Sequence, residues 1–325
     1  MHNYVIVVGG GKDSVFVIDK IHRFGLKAIV VDKNPVVPGM ICADEKIVLS
    51  TYESEPIIKK LKKFIASGKK IIAIVTRSSG IPVITTAKIA DALNLFGAGE
   101  DAARVLTYKN LFTDLCYDNG IPTARIKMSD FKKRNKYLTR YFPCVIKPAL
   151  GLAGKVDVRM ITKDSKIGSV ITAVRKKSLN GKILIERYIP GIDISLFSIV
   201  FNSILYPCFF LRELNKFDKE GKIKFKGFCF CSKLKNIEKK RMVKIAQKVV
   251  KVADVRFSPF LISFRLTKEG LAVPVEVNLD FGGENVLEEL VFSRIDFDFI
   301  ECYLESIIHK AKPDIPKIFI KNFRN

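Results

Sequence analysis

Apolar and polar positions along the first hundred residues follow two alternating rhythms. A continuous apolar run at 4–8 leads into Gly9, Gly10 and Gly11, and an apolar repeat of helical period follows over 14–24. A second run over 27–31 ends at Asp32; a short run at 47–49, a helical repeat over 57–65, a run at 71–75 and a helical repeat over 85–93 continue the series. Strand-length apolar runs separated by helical repeats predict parallel strands joined by right-handed crossovers. From about residue 102 the texture changes. A helix is expected over 106–119, broken by Gly120-Ile121-Pro122, followed by a strand at 143–147, a helix at 170–177 and a strand at 182–186. Strands then dominate as far as Phe230. A helix over 237–252, strands over 260–266 and 272–277, and a helix over 296–310 complete the pattern. The apolar stretch 194–211 is interrupted by Asn202 and Pro207. It reads as a buried hairpin turning at Asn202-Ser203, not as a membrane span.

Composition narrows the function classes. The 325 residues give room for two or three domains with a buried core. Lys and Arg total 56 against 33 Asp and Glu, a net charge of +23, which invites a nucleic-acid partner. Lysine predominates, however, and it is spread over helix-like faces such as 57–64. Arginine is the preferred fork for phosphates and bases, so nucleic acid is not the expected partner. The densest basic run, 131–137, reads as a solvated helix. The 7 cysteines contain no Cys-x-x-Cys pair, and Cys229 and Cys231 lie closest, within one expected strand. Reduced thiols and a chain that opens directly into a strand, with no signal peptide, fit a cytoplasmic protein. With 3 histidines in no metal-like cluster, a zinc site or histidine catalysis is not expected.

Two constellations carry chemistry. In the first, the strand Cys144-Val145-Ile146-Lys147-Pro148 delivers Lys147 into a loop spaced by Gly151 and Gly154 and carrying Lys155. Glycines let backbone amides approach an anion, and the ammonium groups supply charge, so the loop is suited to covering phosphates. In the second, the strand Pro274-Val275-Glu276-Val277-Asn278 ends in Glu276 and Asn278, whose side chains leave the same face and suit Mg²⁺. A phosphate-covering loop with a distant metal-holding pair is the equipment of an ATP-using enzyme. Each feature also has a structural explanation: Glu276 as a strand-end charge, Gly9–Gly11 as a plain strand-to-helix turn. Arg212 and Arg265, on or beside expected strands, are candidates from residue type alone for binding an acid substrate or developing phosphate charge.

In this order the motifs resemble those of the ATP-grasp superfamily, of the carboxylate–amine ligase and carbamoyl-phosphate synthetase type, over nearly the whole chain. Asp32-Lys33-Asn34-Pro35 with Pro38-Gly39, the turn Thr76–Pro82, Leu95-Phe96-Gly97 and Thr107-Tyr108-Lys109 are similar to its turns. The resemblance implies an α/β and α+β architecture: a Rossmann-like pre-ATP-grasp domain over 1–103, then a two-subdomain ATP-grasp fold over 104–325, divided near 185/186. It implies that Lys109 and Lys147 contact nucleotide phosphates and that Gly151, Gly154 and Lys155 belong to a flap. Glu186, Arg187, Tyr188 and Ile189 would form the adenine-reading hinge, and Asp193 would take the ribose. Glu276 and Asn278 would hold Mg²⁺, for which Mn²⁺ is a substitute. The implied reaction phosphorylates a small carboxylate with ATP and passes the acyl group to an amine or related nucleophile, in a protein free of membrane for which the resemblance allows a homodimer.

The chain also departs from that pattern. The flap lacks the usual serine and is a residue short. Ser263 stands where a second metal carboxylate is expected, and Leu279-Asp280 follows Asn278 in place of Pro-Arg. Either Asp280 supplies the missing charge or the metal site is weakened, leaving a non-catalytic nucleotide-binding protein. A third reading is an NAD(P)-dependent oxidoreductase using Gly9-x-Gly11, with Asp32 as the ribose acid; Ser14 in place of a third glycine and the lack of a hydride-transfer acid or base oppose it.

Overall fold

A computed structural model describes residues 2–126, 141–151, 157–163, 165–231, 233–283 and 286–316. The basic run 131–137 and the flap residues Gly154 and Lys155 lie outside them. In the first hundred residues β1 (Asn3–Val8), β2 (Lys27–Asp32), β3 (Glu45–Val48) and β4 (Lys70–Thr76) alternate with α1 (Ser14–Arg23), α2 (Pro38–Ile41), α3 (Ser54–Ala66) and α4 (Ile81–Ala92). The strands form a parallel sheet in the order β3-β2-β1-β4. The continuous apolar runs are explained by burial on both faces. Tyr4, Ile6 and Val8 pack with Ile57, Leu61 and Ile89 on one side. Val5 and Val7 join Val17, Ile18 and Ile21 on the other.

The glycine turn after β1 is filled by the chain itself. The Gly10 amide donates to Asp32 Oδ2 at 2.9 Å, and Asp32 Oδ1 accepts from the Asn34 amide at 2.9 Å. The Gly39 amide donates to the Gly10 carbonyl at 2.8 Å, and a methyl group added at Gly10 would come within 2.8 Å of Val37. Residues 37–40 therefore pack directly against the turn, and Asp32 is engaged by turn amides. The turn gives the dinucleotide reading of Gly9–Gly11 no support.

The helix expected over 106–119 is two helices, α5 (Glu100–Thr107) and α6 (Lys109–Asp118), because Tyr108 takes an extended ψ of 106°. The Lys109 amide donates instead to the Ala149 carbonyl at 2.9 Å, just beyond the next strand. The break thereby fixes Lys109 beside the loop that follows Lys147. A three-stranded antiparallel sheet, β6-β5-β7, consists of β5 (Cys144–Pro148), β6 (Arg159–Ile161) and β7 (Ile183–Arg187). Helix α7 (Ile167–Lys177) backs it, with Cys144, Ile146 and Ile185 in their common core.

The larger sheet has five antiparallel strands in the order β10-β9-β8-β11-β12, comprising β8 (Ile192–Phe201), β9 (Ile204–Phe217), β10 (Ile223–Phe230), β11 (Phe257–Leu266) and β12 (Ala272–Asn278). Asn202 and Ser203 turn β8 into β9 with φ of 52° and 59°, the tight hairpin read in the sequence. Helix α8 (Asn236–Val252) covers one face through Met242, Ala246 and Val249, against Leu196, Phe260 and Ile262. The other face presents Phe197, Leu211 and Leu261 to a core shared with β1, α1 and α9 (Phe299–His309). Farther along that face, at the two-residue strand period, the positions turn polar: Asp193, Ser195, Glu213, Asn215, Ser263 and Arg265.

Two charged contacts join the parallel sheet to the loop after β12. Arg77, just past β4, is ion-paired with Glu288 and donates through Nε to the Gly282 carbonyl at 3.1 Å. Their side chains are 2% and 11% exposed. Removing one partner of such a buried pair leaves an uncompensated charge. Arg77→Met should therefore lower unfolding stability by about 3–5 kcal/mol, read as a drop in the urea midpoint. An Arg77→Met/Glu288→Leu double variant should recover most of it.

Candidate active site

The three-stranded and five-stranded sheets face each other across a cavity of about 530 Å³ lined by Lys109, Lys147, Glu186, Tyr188, Asp193 and Glu276 among others. A second cavity of about 520 Å³ lies between the five-stranded sheet and the turns of the parallel sheet, with Asp13, Ser79, Phe225, Ser263 and Asn278 in its wall. The two share Lys109, Gly151, Glu213, Ile223 and Glu276. Their common wall thus holds two carboxylates and a lysine.

Lys147 sits on β5, the middle strand of its sheet, where alternation turns Val145 and Lys147 to the cavity and Cys144 and Ile146 to the core. It is 3% exposed. A buried ammonium needs a counter-charge and hydrogen bonds, and both are present. Its Nζ is 2.7 Å from Glu186 Oε2 and donates to the Val275 carbonyl at 3.3 Å. Lys109, fixed at the start of α6, places its Nζ 3.2 Å from Glu276 Oε2. Without a ligand each lysine faces a carboxylate, and both ammonium groups border the first cavity.

The connection from β7 to β8 forms the far end of that cavity. The Arg187 and Tyr188 amides donate to the carbonyls of Ala124 and Pro143 at 2.9 and 3.0 Å, and the Arg187 side chain is exposed. Gly191 is required by close approach, since an added Cβ would stand 2.2 Å from the Leu266 carbonyl oxygen. Arg265 holds this end together. It donates through Nε to the Ile189 carbonyl at 2.7 Å and through Nη2 to Tyr188 Oη at 2.9 Å, and its Nη1 lies 2.9 Å from Asp193 Oδ2.

Arg265, Arg212 and Asp280 stand in three different settings. Arg265 is fully engaged with residues 188–193 and does not border the second cavity. Arg212 is exposed on the rim of the first cavity and is likewise absent from the second. Asp280 is 1% exposed and accepts from Ser79 Oγ at 2.6 Å and the Gly282 amide at 2.7 Å. Desolvation pushes its carboxyl above the ordinary range, although those hydrogen bonds and Arg77 act in the opposite direction. It is a buried join between domain elements and not a spare charge for a metal.

Sequence reasoning passed over Glu213, Asn215 and Ser195. Their signal was a polar face at two-residue spacing, Glu213 and Asn215, on a strand whose same-face residues Phe209 and Leu211 are buried. Among the described residues no trio of His, Cys, Asp or Glu is grouped as a metal site. The available donors are oxygens: Glu276 and Asn278 from β12, Ser263 from β11 and Glu213 from β9, all lining the second cavity. Oxygen-only donors with few carboxylates fit Mg²⁺, which keeps waters and substrate phosphates in its shell.

Residues 140–288 match the family model of the ATP-grasp domain, and the chain carries that domain and its fold. Over 176 residues, 51% of the chain, it is 26% identical to the carbamoyl phosphate synthase large chain of Thermoanaerobacter sp. (strain X514). That stretch is 16% of the relative, and the chain spans less than half the length of the curated relatives it matches. The structure of an L-amino acid ligase from Bacillus licheniformis is similar with a TM-score of 0.75 at 20% identity, over 97% of this chain and 75% of that one. The biotin carboxylase domain of the Hydrogenobacter thermophilus 2-oxoglutarate carboxylase, a structure containing MgADP, is similar with a TM-score of 0.76 at 13% identity, over 96% and 71%.

If Arg265 acts by holding the hinge, Arg265→Gln should raise the dissociation constant of ATP about tenfold, ~1.4 kcal/mol, by calorimetry. Unchanged ATP affinity would remove that role.

Proposed function

We propose that the protein is an ATP-dependent carboxylate–amine ligase working through an acyl phosphate. The observation that carries the reading is the meeting of two cavities of nearly equal size at Lys109, Glu213 and Glu276. A phosphoryl donor in one and an acceptor in the other would face each other across that wall. The nucleotide takes the first cavity, with its base against residues 186–189, its ribose toward Asp193 and its phosphates at Lys109 and Lys147. Gly151 begins the loop over them, and Lys155 belongs to the same loop.

A carboxylate is a poor electrophile because its oxygen leaves badly. In the first step a carboxylate oxygen attacks the γ-phosphorus, the bond to the β-phosphate oxygen breaks, and ADP departs. In the second, the amine nitrogen attacks the acyl carbon, inorganic phosphate leaves and the nitrogen loses a proton. Little covalent work falls to the protein, so its contribution is positioning and charge. Lys109 and Lys147 neutralise the phosphates, exchanging their carboxylate partners for phosphate oxygens. Glu276 and Asn278 would hold Mg²⁺, which screens the phosphate charge and orients the transferred group. The buried wall around Glu213 and Ser263 keeps water from the acyl phosphate. In the second cavity Asp13 presents a buried Oδ1 with no hydrogen-bond partner among the described residues. Beside Phe225 and Phe228, that acceptor suits an ammonium-bearing substrate with an apolar body.

Mg-ATP at about a hundred times its Kd should raise the unfolding midpoint by roughly 4–6 °C, whereas NAD(H) and NADP(H) should leave it unchanged. A screen of paired acids and amines should then give ADP release that needs both. A shift with ATP but no turnover with any pair would favour a nucleotide-binding protein without ligase activity; a shift with the dinucleotide alone would overturn the proposal.

A further inference from the structure

Asp13 stands at the position before α1, where an aspartate ordinarily caps the helix by accepting from amides of its first turn. It makes no such bond, and its own backbone is already helical, with φ −69° and ψ −21°. The turn closes without it: the Ser14 amide and Oγ both donate to the Gly11 carbonyl, at 3.0 and 2.6 Å. The helix dipole favours a carboxylate at this end, but it does so equally when the side chain caps. It therefore does not account for a side chain turned off its helix into the wall of the second cavity. There Oδ1 is buried with no hydrogen-bond partner among the described residues, and withdrawing an acceptor from water without a partner is costly. On the Oδ2 side the carboxylate meets the loop after β12, where a Cβ added at Gly283 would stand 4.0 Å away. Asp13 thus sits where the parallel domain and the large sheet meet, and its own fold does not use its charge.

The same cavity has an apolar wall that the chain builds with a bulge. Phe225 pairs with Asn215 and Phe228 with Glu213, so three steps along β10 match two along β9. The extra residue falls beside Gly227, whose φ is 119°. In a regular strand residues 225 and 228 would face opposite sides of the sheet; the bulge turns both to one side. Both rings line the cavity, edge to face with centroids 5.1 Å apart. Among the described residues the cations of this wall are already engaged, Arg77 with Glu288 and Lys109 with Glu276. An apolar wall with an unused carboxylate fits a cationic nitrogen on an apolar body. Asp13, Phe225 and Phe228 line the second cavity only, apart from the wall shared with the first. A nitrogen held there as an ammonium also has no lone pair with which to attack an acyl group. We infer that Asp13 is a specificity residue that binds a non-reacting ammonium group of a substrate, with Phe225 and Phe228 receiving the apolar body that carries it. The nitrogen at Asp13 is a recognition handle, distinct from the nitrogen that is acylated. The handle is carried by the acid or by the amine, and the test tells the two apart.

The inference rests on the ligase reading above, and its test separates the two. Protein loaded with Mg²⁺ and a non-hydrolysable ATP analogue is titrated, by calorimetry, with pairs of compounds that differ by one ammonium group. Phenylalanine against 3-phenylpropanoate and 6-aminohexanoate against hexanoate place the handle on the acid; 1,5-diaminopentane against pentylamine places it on the amine. In at least one pair the member with the extra ammonium should bind wild type ~10-fold or more tightly than its counterpart. Asp13→Asn, nearly isosteric and neutral, should bring the two members to within about twofold of each other, and Asp13→Ala should do the same. Phe225→Ala should instead weaken both members together and keep their ratio. The unfolding shift with Mg-ATP, measured on each variant, shows that it is folded and that the first cavity is intact. If no pair is distinguished by wild type, or if the neutral variants keep the preference, the inference is overturned while the ATP reading stands. If wild type binds no Mg-ATP, the reading beneath the inference fails.

Discussion

A lysine ammonium withdrawn from water has to meet a fixed negative charge, and much of this architecture meets that requirement for Lys147. The residue lies on the central strand of a small sheet, so its side chain can only point into the gap between sheets. There Glu186 on β7 supplies the charge and the Val275 carbonyl on β12 the remaining hydrogen bond. Through one side chain the small sheet is registered against the large one. Lys109 repeats the arrangement with Glu276 from the start of α6, which exists as a separate helix because the Lys109 amide bonds to Ala149. These contacts keep a polar cavity open where hydrophobic packing alone would close it.

The large sheet shows how one surface serves both a core and a site. Along a single face the side chains pass from Phe197, Leu211 and Leu261 to Ser195, Glu213 and Ser263 within one two-residue step. The apolar end anchors the sheet on the parallel domain. The polar end is held by hydrogen bonds among Glu213, Asn215, Asp193 and the two serines, continuing through Arg265 into the hinge. A burial pattern read only as alternation describes the first half of that face and misses the second.

Legibility in the sequence followed the range of the interaction. The doubly buried strands β1, β2 and β4 were readable because burial on both faces leaves an uninterrupted apolar run. The hairpin at Asn202-Ser203 was readable because two left-handed residues make a local turn. Lys147, Glu276 and Asn278 stood out because their spacing on a strand already implies direction. The break at Tyr108 was hidden, since the bond responsible runs to Ala149, about forty residues away. The setting of Asp280 was hidden because its partner Ser79 is about two hundred residues upstream, and that of Arg265 because the carbonyl it binds lies across the sheet. Glu213 depends on serines from two other strands, so only register reveals it.

The central claim is that a nucleotide lies between the small and large sheets with its phosphates at the wall shared by the two cavities. A crystal structure with Mg²⁺ and a non-hydrolysable ATP analogue tests it directly. The account predicts the base against residues 186–189, the terminal phosphate beside Lys109 and Lys147, and the metal on Glu276 and Asn278. A nucleotide bound with its phosphates at the Gly9–Gly11 turn, or between the sheets in the reverse orientation, would contradict it.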